Sequence, residues 1–261
     1  DKCLALLRIG DISFQQDKYV DAIRYFEQAK GECAENYKNA PVTRFYHAES
    51  LFRHNKYEEA RVIYENLSNQ WTDSRFIHFF KLRRGDCYYK LQKINDALAI
   101  YNLIYRNYDQ TYSQISAVIK IVDIKLYLPK SPDYRLLLNM INNVEKYTME
   151  PFLYQEVVYR KGILNYFIKN INIALEILMA FCKAYPKNYR YPIARYFVEK
   201  SLKFKLDEIY KTGEYSKVLA FFFQNMKFLP IRSFNENFII QIAHAFTHFK
   251  LYRQIIAIYQ Q

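Results

Sequence analysis

GDCYYKLQKINDALAIYNLI, residues 85–104, is the stretch of sequence that decides the fold of this chain. Gly85 is followed twelve positions later by a second small residue, Ala97, and four positions after that by Tyr101. Small residues at this spacing allow two antiparallel helices to approach closely, and the ring fills the space beside them. The stretch therefore predicts a helical hairpin.

The same pattern recurs at intervals of roughly 36 to 40 residues, a period that is typical of helical arrays. We therefore expect an all-α chain of about 14 helices, in which each repeat contacts only its neighbours. The first small residue of each clear copy is predicted to be buried where helices meet, and these residues are Gly10, Ala48, Gly85 and Gly162.

The repeated residues resemble the signature of the tetratricopeptide repeat family. The residues that carry the match in three of the repeats are Ile9, Gly10, Phe14, Tyr19, Ala22, Phe26 and Ala29; Gly85, Tyr88, Tyr89, Ala97 and Tyr101; and Gly162, Tyr166, Ala174, Leu178 and Pro186. The resemblance implies a right-handed superhelical solenoid of about seven helix-turn-helix repeats. It implies little about partners, because one such architecture serves many unrelated functions.

The predicted organisation is a single repeat domain over residues 1–261, excised from a longer protein. The expected repeats span residues 3–34, 41–75, 78–110, 111–148, 152–186, 190–228 and 235–261. The fourth matches the pattern least well and has extra residues around Pro129 and Pro132. The last ends on an apolar second helix through Ile255 and Tyr259 with no polar cap, which solenoids need. We therefore expect any targeting or membrane-anchoring segment to lie outside this sequence. The sequence does not decide whether the protein is cytoplasmic or membrane-associated.

The four cysteines, Cys3, Cys33, Cys87 and Cys182, show no spacing typical of a metal site. Buried free thiols are the favoured interpretation, since cysteine behaves as a small apolar residue. A disulfide between Cys3 and Cys33, which flank one hairpin, is the less favoured alternative.

Motifs for catalysis are missing from the sequence. There is no phosphate-binding glycine loop, nucleophile elbow or dinucleotide fingerprint. His244 and His248 lie four positions apart and could share a zinc ion, but the sequence places no third ligand, so a solvated pair is favoured. We predict a protein that is not an enzyme and has no cofactor or metal.

The first helices of the hairpins carry a recurring stripe that is predicted to line the inner, concave face of the array. An aromatic residue recurs beside charged residues, which suits a groove for an extended peptide or an amphipathic helix. The predicted partner-binding residues of the first three repeats are Leu7, Arg8, Asp11, Phe14, Phe45, Glu49, Phe52, Arg53, Arg83, Asp86, Tyr89 and Lys90. The alternative is that these rings pack within the hairpins and the carboxylates pair with neighbouring bases.

The fifth repeat carries an uncharged aromatic patch that completes the predicted site, at Tyr159, Tyr166 and Phe167. It could hold an apolar partner segment or pack against another part of the same protein. Some members of the resembled family grip a chaperone's C-terminal carboxylate with Lys and Asn on the stripe. Leu7, Asp11 and Leu82 stand at those places here, so that clamp is not expected.

The chain has a net charge of +12 and a pI near 9.3. Its basic residues are spread along the sequence without the clusters that mark nucleic-acid sites, so no nucleic-acid partner is expected. The densest stretch holds Lys200, Lys203, Lys205 and Lys211. This stretch could dock an acidic partner or an anionic membrane surface. The alternative, which is favoured, is a solvated helix face.

Two functions remain open on these grounds. The first is a protein–protein interaction scaffold that organises a larger assembly, for instance in bacterial envelope or motility (flagellar) machinery. The alternative is a peptide-binding regulatory or sensor module.

Overall fold

The computed structural model describes residues 2–72, 76–129, 131–229, 236–251 and 253. Within those ranges the regular elements are all helices, as predicted, and no strand occurs. The chain divides into two compact units, an N-terminal unit, Asp1–Lys130, and a C-terminal unit, Ser131–Gln261.

Antiparallel helix pairs build the N-terminal unit, and helices that follow one another pack together. Its helices are α1 (Lys2–Gln15), α2 (Tyr19–Glu32), α3 (Ala34–Lys38), α4 (Pro41–Arg53), α5 (Tyr57–Gln70), α6 (Ile77–Lys90), α7 (Ile94–Asn107) and α8 (Tyr112–Tyr127). The short α3 is an addition to the predicted hairpins. Pro41 is the first residue of α4, where its missing N–H costs nothing.

The C-terminal unit has the same kind of packing. Its elements are α9 (Tyr134–Glu145), α10 (Pro151–Phe167), α11 (Ile171–Ala184), α12 (Tyr191–Lys211), α13 (Tyr215–Asn225), a 3₁₀ turn (Met226–Phe228) and α14 (Glu236–His248). Side chains of Asp133 and Glu150 accept hydrogen bonds from backbone N–H groups in the first turns of α9 and α10, which defines where these helices begin.

The predicted small residues lie where two helices meet, and Gly10, Ala48, Gly85 and Gly162 are all buried. A Cβ atom added to Gly85 would lie 2.7 Å from the Tyr101 ring, and one added to Gly162 would lie 2.5 Å from Leu178. Both distances are too short for a real contact. The helix pairs can therefore pack as they do only because these positions lack a side chain.

A similar turn joins the helices of the clear hairpins. In each of these turns one residue has a positive φ; these residues are Asp17 (58°), Asn55 (63°), Gln92 (60°) and Lys169 (66°). The next N–H then reaches back to the helix, as from Lys93 to the Tyr88 carbonyl over 2.9 Å. This hydrogen bond is the one expected of a Schellman motif, in which a left-handed residue ends the helix.

A disulfide joins Cys3 to Cys33, with their Cα atoms 5.6 Å apart. The favoured prediction of free thiols is therefore wrong for this pair. Because α1 and α2 are antiparallel, the start of α1 lies beside the end of α2, and Cys33 is the residue that ends α2. Cys87 and Cys182 are buried free thiols, as predicted, and burial raises the pKa of both.

The predicted boundaries of the repeats and the right-handed superhelix stay predictions. The second helix predicted through Ile255 and Tyr259 lies outside the described residues. A turn of the same kind nevertheless closes α14: Lys250 has a φ of 58° and the Leu251 N–H donates to the Phe246 carbonyl over 3.0 Å.

Candidate partner-binding surface

The carboxylates of the predicted stripe are largely used inside the fold. Glu49 and Asp86 are both buried. The Arg83 guanidinium donates through Nη2 to Glu49 over 2.8 Å and through Nη1 to Asp86 over 2.8 Å. Lys120, on α8, adds an ion pair to Asp86 at 2.9 Å. Arg83 and Lys120 therefore neutralise these two acids, and a bound segment would find little free negative charge here.

Tyrosines on the second helices complete this network. Tyr64 donates its hydroxyl hydrogen to Glu49, and Tyr101 donates to Asp86 over 2.7 Å. Burial, together with the neighbouring carboxylates, raises the pKa of both tyrosines. Burial alone would lower the pKa of Arg83, but the carboxylates of Glu49 and Asp86 raise it, so the guanidinium stays charged. The network holds α4, α5, α6 and α7 together.

The rings of the stripe are mostly packed against neighbours. Phe14 stacks on Tyr46 with centroids 4.5 Å apart, and Phe52 lies under the Arg83 guanidinium at 4.1 Å. Tyr89 differs, because 43% of its surface is exposed. The alternative interpretation, rings packing within the fold, thus describes Phe14 and Phe52 better than it describes Tyr89.

Exposure divides the predicted residues of the first three repeats into three groups. Leu7, Glu49 and Asp86 are buried; Asp11, Phe14, Phe45, Phe52 and Arg83 are half-buried; and Arg8, Arg53, Tyr89 and Lys90 are exposed. Leu7 packs in the core between α1 and α2 and supports the fold. The binding role of the whole set stays a prediction, and the exposed group is the part that a partner reaches without rearrangement.

A ring-lined pocket lies at the beginnings of α4 and α6. Its volume is about 440 Å³. The described residues that line it, which we call the ring pocket, are Pro41, Val42, Phe45, Tyr46, Trp71, Phe76, Phe79 and Phe80. Only Phe45 belongs to the predicted stripe. The phenylalanines at 76, 79 and 80, just before Gly85, are the signal that sequence reasoning missed.

In the C-terminal unit the predicted patch separates into two environments. Tyr159 is buried, with its ring 5.8 Å from that of Phe181, so it is a core residue. Tyr166 and Phe167 are half-buried and share a ring cluster with Phe197 of α12 and Tyr134 of α9. The structure thus keeps two of the three predicted residues together and adds rings from neighbouring helices.

Three of the four predicted lysines on α12 are paired with acids on the same helix. Lys203 lies 2.6 Å from Glu199, Lys205 lies 3.3 Å from Glu208, and Lys211 lies 2.6 Å from Asp207. These pairs neutralise three of the four charges within the helix, but Lys203 and Lys205 are half-buried, so the solvated face stays a prediction. Lys200 instead lies over the ring of Tyr196 at 5.4 Å.

The histidine pair of α14 sits among aromatic rings. His244 Nδ1 shares a hydrogen bond of 2.6 Å with the Tyr210 hydroxyl, and the ring of Tyr215 lies 4.9 Å from both His244 and His248. Across the described ranges, no group of three His, Cys, Asp or Glu side chains could hold a metal ion. In that same part of the chain, no helix combines the length and apolar character that crossing a membrane requires.

Comparison with known proteins identifies one repeat and the fold. The described helices form hairpin arrays, and residues 81–111 match the model of the tetratricopeptide repeat family. No curated protein sequence matches the chain. Residues 81–111 are thus similar to one tetratricopeptide repeat, and the fold is that of tetratricopeptide-repeat structures, which confirms the predicted resemblance.

Solved structures carry the fold assignment. The C-terminal part of a repeat-containing protein from Cytophaga hutchinsonii is 16% identical, with 97% of this chain and 93% of that chain covered and a TM-score of 0.64. A tetratricopeptide repeat protein from Parabacteroides merdae is 12% identical, with 99% and 91% covered and a TM-score of 0.59. The apo quorum sensor NprR from B. thuringiensis is 12% identical, with 99% and 74% covered and a TM-score of 0.57. At such identities the likeness extends to the fold alone.

Proposed function

We propose that this chain is a non-catalytic protein-interaction scaffold whose N-terminal unit binds an apolar side chain of a partner segment in the ring pocket. The observation that carries the proposal is the pocket itself: the described residues lining its 440 Å³ are all apolar or aromatic. Val42 and Phe76 at its edge are 58% and 51% exposed. Apolar side chains left in water at a concave site favour the burial of a partner's side chain.

The size and stiffness of the pocket suit one large anchor residue. Ligand pockets commonly enclose about 300–1,000 Å³, and this one lies in that range. The rings hold one another, since Phe45 lies 5.6 Å from Phe79 and 6.1 Å from Phe80. A preformed pocket loses little entropy on binding, which is the situation in which a buried anchor contributes most.

The exposed residues of the stripe supply the second part of the proposed surface. Arg8, Arg53 and Lys90 are positively charged and exposed, and Tyr89 offers a partly free ring. Charges at the rim of an interface orient the partner and speed its approach more than they hold it. In this proposal the exposed residues of the stripe set the direction and register of the bound segment, and the ring pocket provides most of the affinity.

The setting of the scaffold stays a prediction. Nothing among the described residues favours envelope or motility machinery over another assembly. The sensor alternative has no observation of its own, since the likeness to the quorum sensor NprR extends to the fold alone. A pull-down from source cells distinguishes them: a stoichiometric set of structural proteins indicates a scaffold, and one small peptide indicates a sensor.

The test is a selection of peptides from a randomised library on the immobilised chain, followed by affinity measurements on variants. Val42→Glu places a charge at the edge of the ring pocket on an exposed residue, so folding should be preserved. Phe79→Ala removes part of the wall. Each should weaken the selected peptides by about tenfold or more, as loss of an anchor site does.

The matched control is Tyr127→Ala, which removes an exposed ring of the same unit outside the pocket. It should leave the affinity unchanged. If Val42→Glu and Phe79→Ala bind the selected peptides as tightly as the unmodified chain, the ring pocket is not the binding site and the proposal is wrong.

A further inference from the structure

A second candidate surface lies in the C-terminal unit, on α9, α10 and α12. We call it the ring–lysine surface, and it consists of Tyr134, Tyr166, Phe167, Tyr196, Phe197 and Phe204 together with Lys169 and Lys200. Tyr196 and Phe204 are 51% and 41% exposed. Phe197, Lys200 and Phe204 follow one another at three and four positions, so they share one face of α12.

The rings form a continuous set. Phe167 stacks on Tyr134 with centroids 4.8 Å apart and meets Phe197 edge to face at 5.7 Å. Tyr166 meets Phe197 at 5.0 Å, and Tyr196 meets Phe197 at 5.4 Å. Phe197 is therefore the centre of the cluster, and three helices contribute to one apolar surface.

Two ammonium groups stand beside these rings. Lys169 Nζ lies 5.7 Å from the centroid of Tyr166 and 6.0 Å from that of Phe204, and Lys200 Nζ lies 5.4 Å from that of Tyr196. Among the described residues, neither lysine has a carboxylate within ion-pair distance, whereas the other three lysines of the predicted basic stretch are paired. The surface thus combines apolar rings with unneutralised positive charge.

We propose that the ring–lysine surface binds a partner segment in which an aromatic or branched apolar side chain is flanked by aspartate or glutamate. The rings would cover the apolar side chain, and the flanking carboxylates would pair with Lys169 and Lys200. This inference rests on the proposed role as an interaction scaffold and adds a second site with a partner of defined chemistry. Opposite charges at the edge of an apolar contact favour this partner and disfavour a basic one.

A single-stranded nucleic acid also combines flat apolar groups with negative charge, but the geometry is less suited to it. Bases stack on open ring faces. Here one face of Phe167 is covered by Tyr134, and Lys169 and Lys200 lie over Tyr166 and Tyr196. Two free ammonium groups are also few for a surface that tracks a phosphate backbone. The arrangement therefore favours a peptide.

The test uses two pools of fluorescein-labelled synthetic peptides. Both pools have randomised apolar positions at the centre; one is flanked by Asp and Glu and the other by Lys and Arg. Binding is followed by fluorescence anisotropy at low and at high salt. We expect the acidic pool to bind, the basic pool not to bind, and the acidic pool to bind more weakly at high salt because the charges lie in solvent.

The variants decide where the acidic pool binds. Lys200→Glu alone, and with Lys169→Glu, should weaken binding by about tenfold, and Phe204→Ala should do so by a similar factor. Lys200→Arg keeps the charge and should bind as the unmodified chain does. Lys183→Glu, which changes an exposed lysine of α11, is the matched control for net charge and should have no effect. Circular dichroism checks that each variant folds. If the double variant unfolds, the single variant Lys200→Glu still tests the proposal, because this position is exposed on the helix.

Three outcomes would overturn the proposal: no preference for the acidic pool, equal binding by Lys200→Glu and the unmodified chain, or an equal loss with Lys183→Glu. Tighter binding of oligouridine, or of vesicles of phosphatidylcholine with phosphatidylserine, that depends on Lys200 would assign the surface to another class of partner. Val42→Glu is measured alongside. If it abolishes binding of the acidic pool while Lys200→Glu does not, the ring pocket stands as the binding site and only the present inference falls.

Discussion

The Tyr101 hydroxyl donates a hydrogen bond of 2.7 Å to Oδ1 of Asp86, fifteen residues earlier in the chain. Tyr64 and Glu49 form the same pair at the same separation in the preceding hairpin. This register links a second-helix tyrosine to a first-helix carboxylate across both of these hairpins. It explains why acids recur in the stripe: they hold the hairpins together, and the exposed positions around them remain for a partner.

The first hairpin lacks this hydrogen bond, and restoring it should stabilise the N-terminal unit. Phe26 takes the place of the tyrosine, and Asp11 keeps only a bond of 3.3 Å from Thr43 while its Oδ1 is buried without a hydrogen-bond partner. Burial raises the pKa of Asp11. Phe26→Tyr should supply the missing donor and raise the free energy of unfolding by about 1 kcal/mol, measured by urea denaturation.

A double-mutant cycle tests the cause of this gain. In the background of Asp11→Ala, Phe26→Tyr should give no gain, since the acceptor is then absent. A gain of equal size in that background would show that the new hydroxyl acts through another group, and the register would not explain the stability of the first hairpin.

Two glycines should respond in opposite directions to the same substitution. Gly85→Ala places a methyl group 2.7 Å from the Tyr101 ring and should cost about 1–3 kcal/mol through overpacking. Gly31, in α2, has nothing within 4 Å of its would-be Cβ, so Gly31→Ala should stabilise by up to about 1 kcal/mol. Thermal denaturation measures both. Equal effects would mean that helix propensity, and not close packing, decides the cost at Gly85.

Acid should destabilise the N-terminal unit through His47. This residue is fully buried, with Nδ1 2.7 Å from the Tyr37 hydroxyl and Nε2 3.2 Å from Oε1 of Glu27. Burial lowers the pKa of His47, and the adjacent imidazole lowers the pKa of Glu27 to about 2. The unfolded chain therefore binds a proton at this histidine more readily than the folded chain does.

The sign of the pH dependence follows from the lowered pKa of His47. The contribution of His47 to the free energy of unfolding should be fully present above about pH 6.5, the ordinary pKa of histidine. As the pH falls below that value, the free energy of unfolding should decrease by up to about 1.4 kcal/mol per pH unit. Glu27 adds a further loss below about pH 4.5. Urea denaturation followed by Trp71 emission measures this effect, because the single tryptophan lies in the N-terminal unit. His47→Gln should remove the slope above pH 5 or so, and His54→Gln, at an exposed turn, should keep it.

The fold could be predicted because its determinants are local and periodic. Gly85, Ala97 and Tyr101 report a close helix contact through spacing alone, and the other hairpins repeat it. The disulfide and α3 could not be predicted with the same force. Whether Cys3 meets Cys33 depends on how α1 and α2 pack, which the spacing of the two cysteines does not specify.

The site was only partly predictable for a related reason. Periodicity places Glu49 and Asp86 on one face of their helices but does not say that Arg83 binds both. The tyrosines fifteen positions after these acids, Tyr64 and Tyr101, were a usable signal that both carboxylates are hydrogen-bonded inside the fold. The ring pocket has a weaker signal, the phenylalanines at 76, 79 and 80, because these rings do not report the space between the beginnings of α4 and α6. Only Phe45 among its residues belongs to the stripe.

The emission of Trp71 tests the central claim most directly, because the single tryptophan of the chain lines the ring pocket. Titration with a peptide selected on the chain, itself free of tryptophan, should shift or quench this emission at the same concentrations at which the peptide binds by anisotropy. The same titration of Val42→Glu should show both signals moved to about tenfold higher concentration. Saturable binding with an unchanged Trp71 emission, equal in the unmodified chain and in Val42→Glu, would contradict the account.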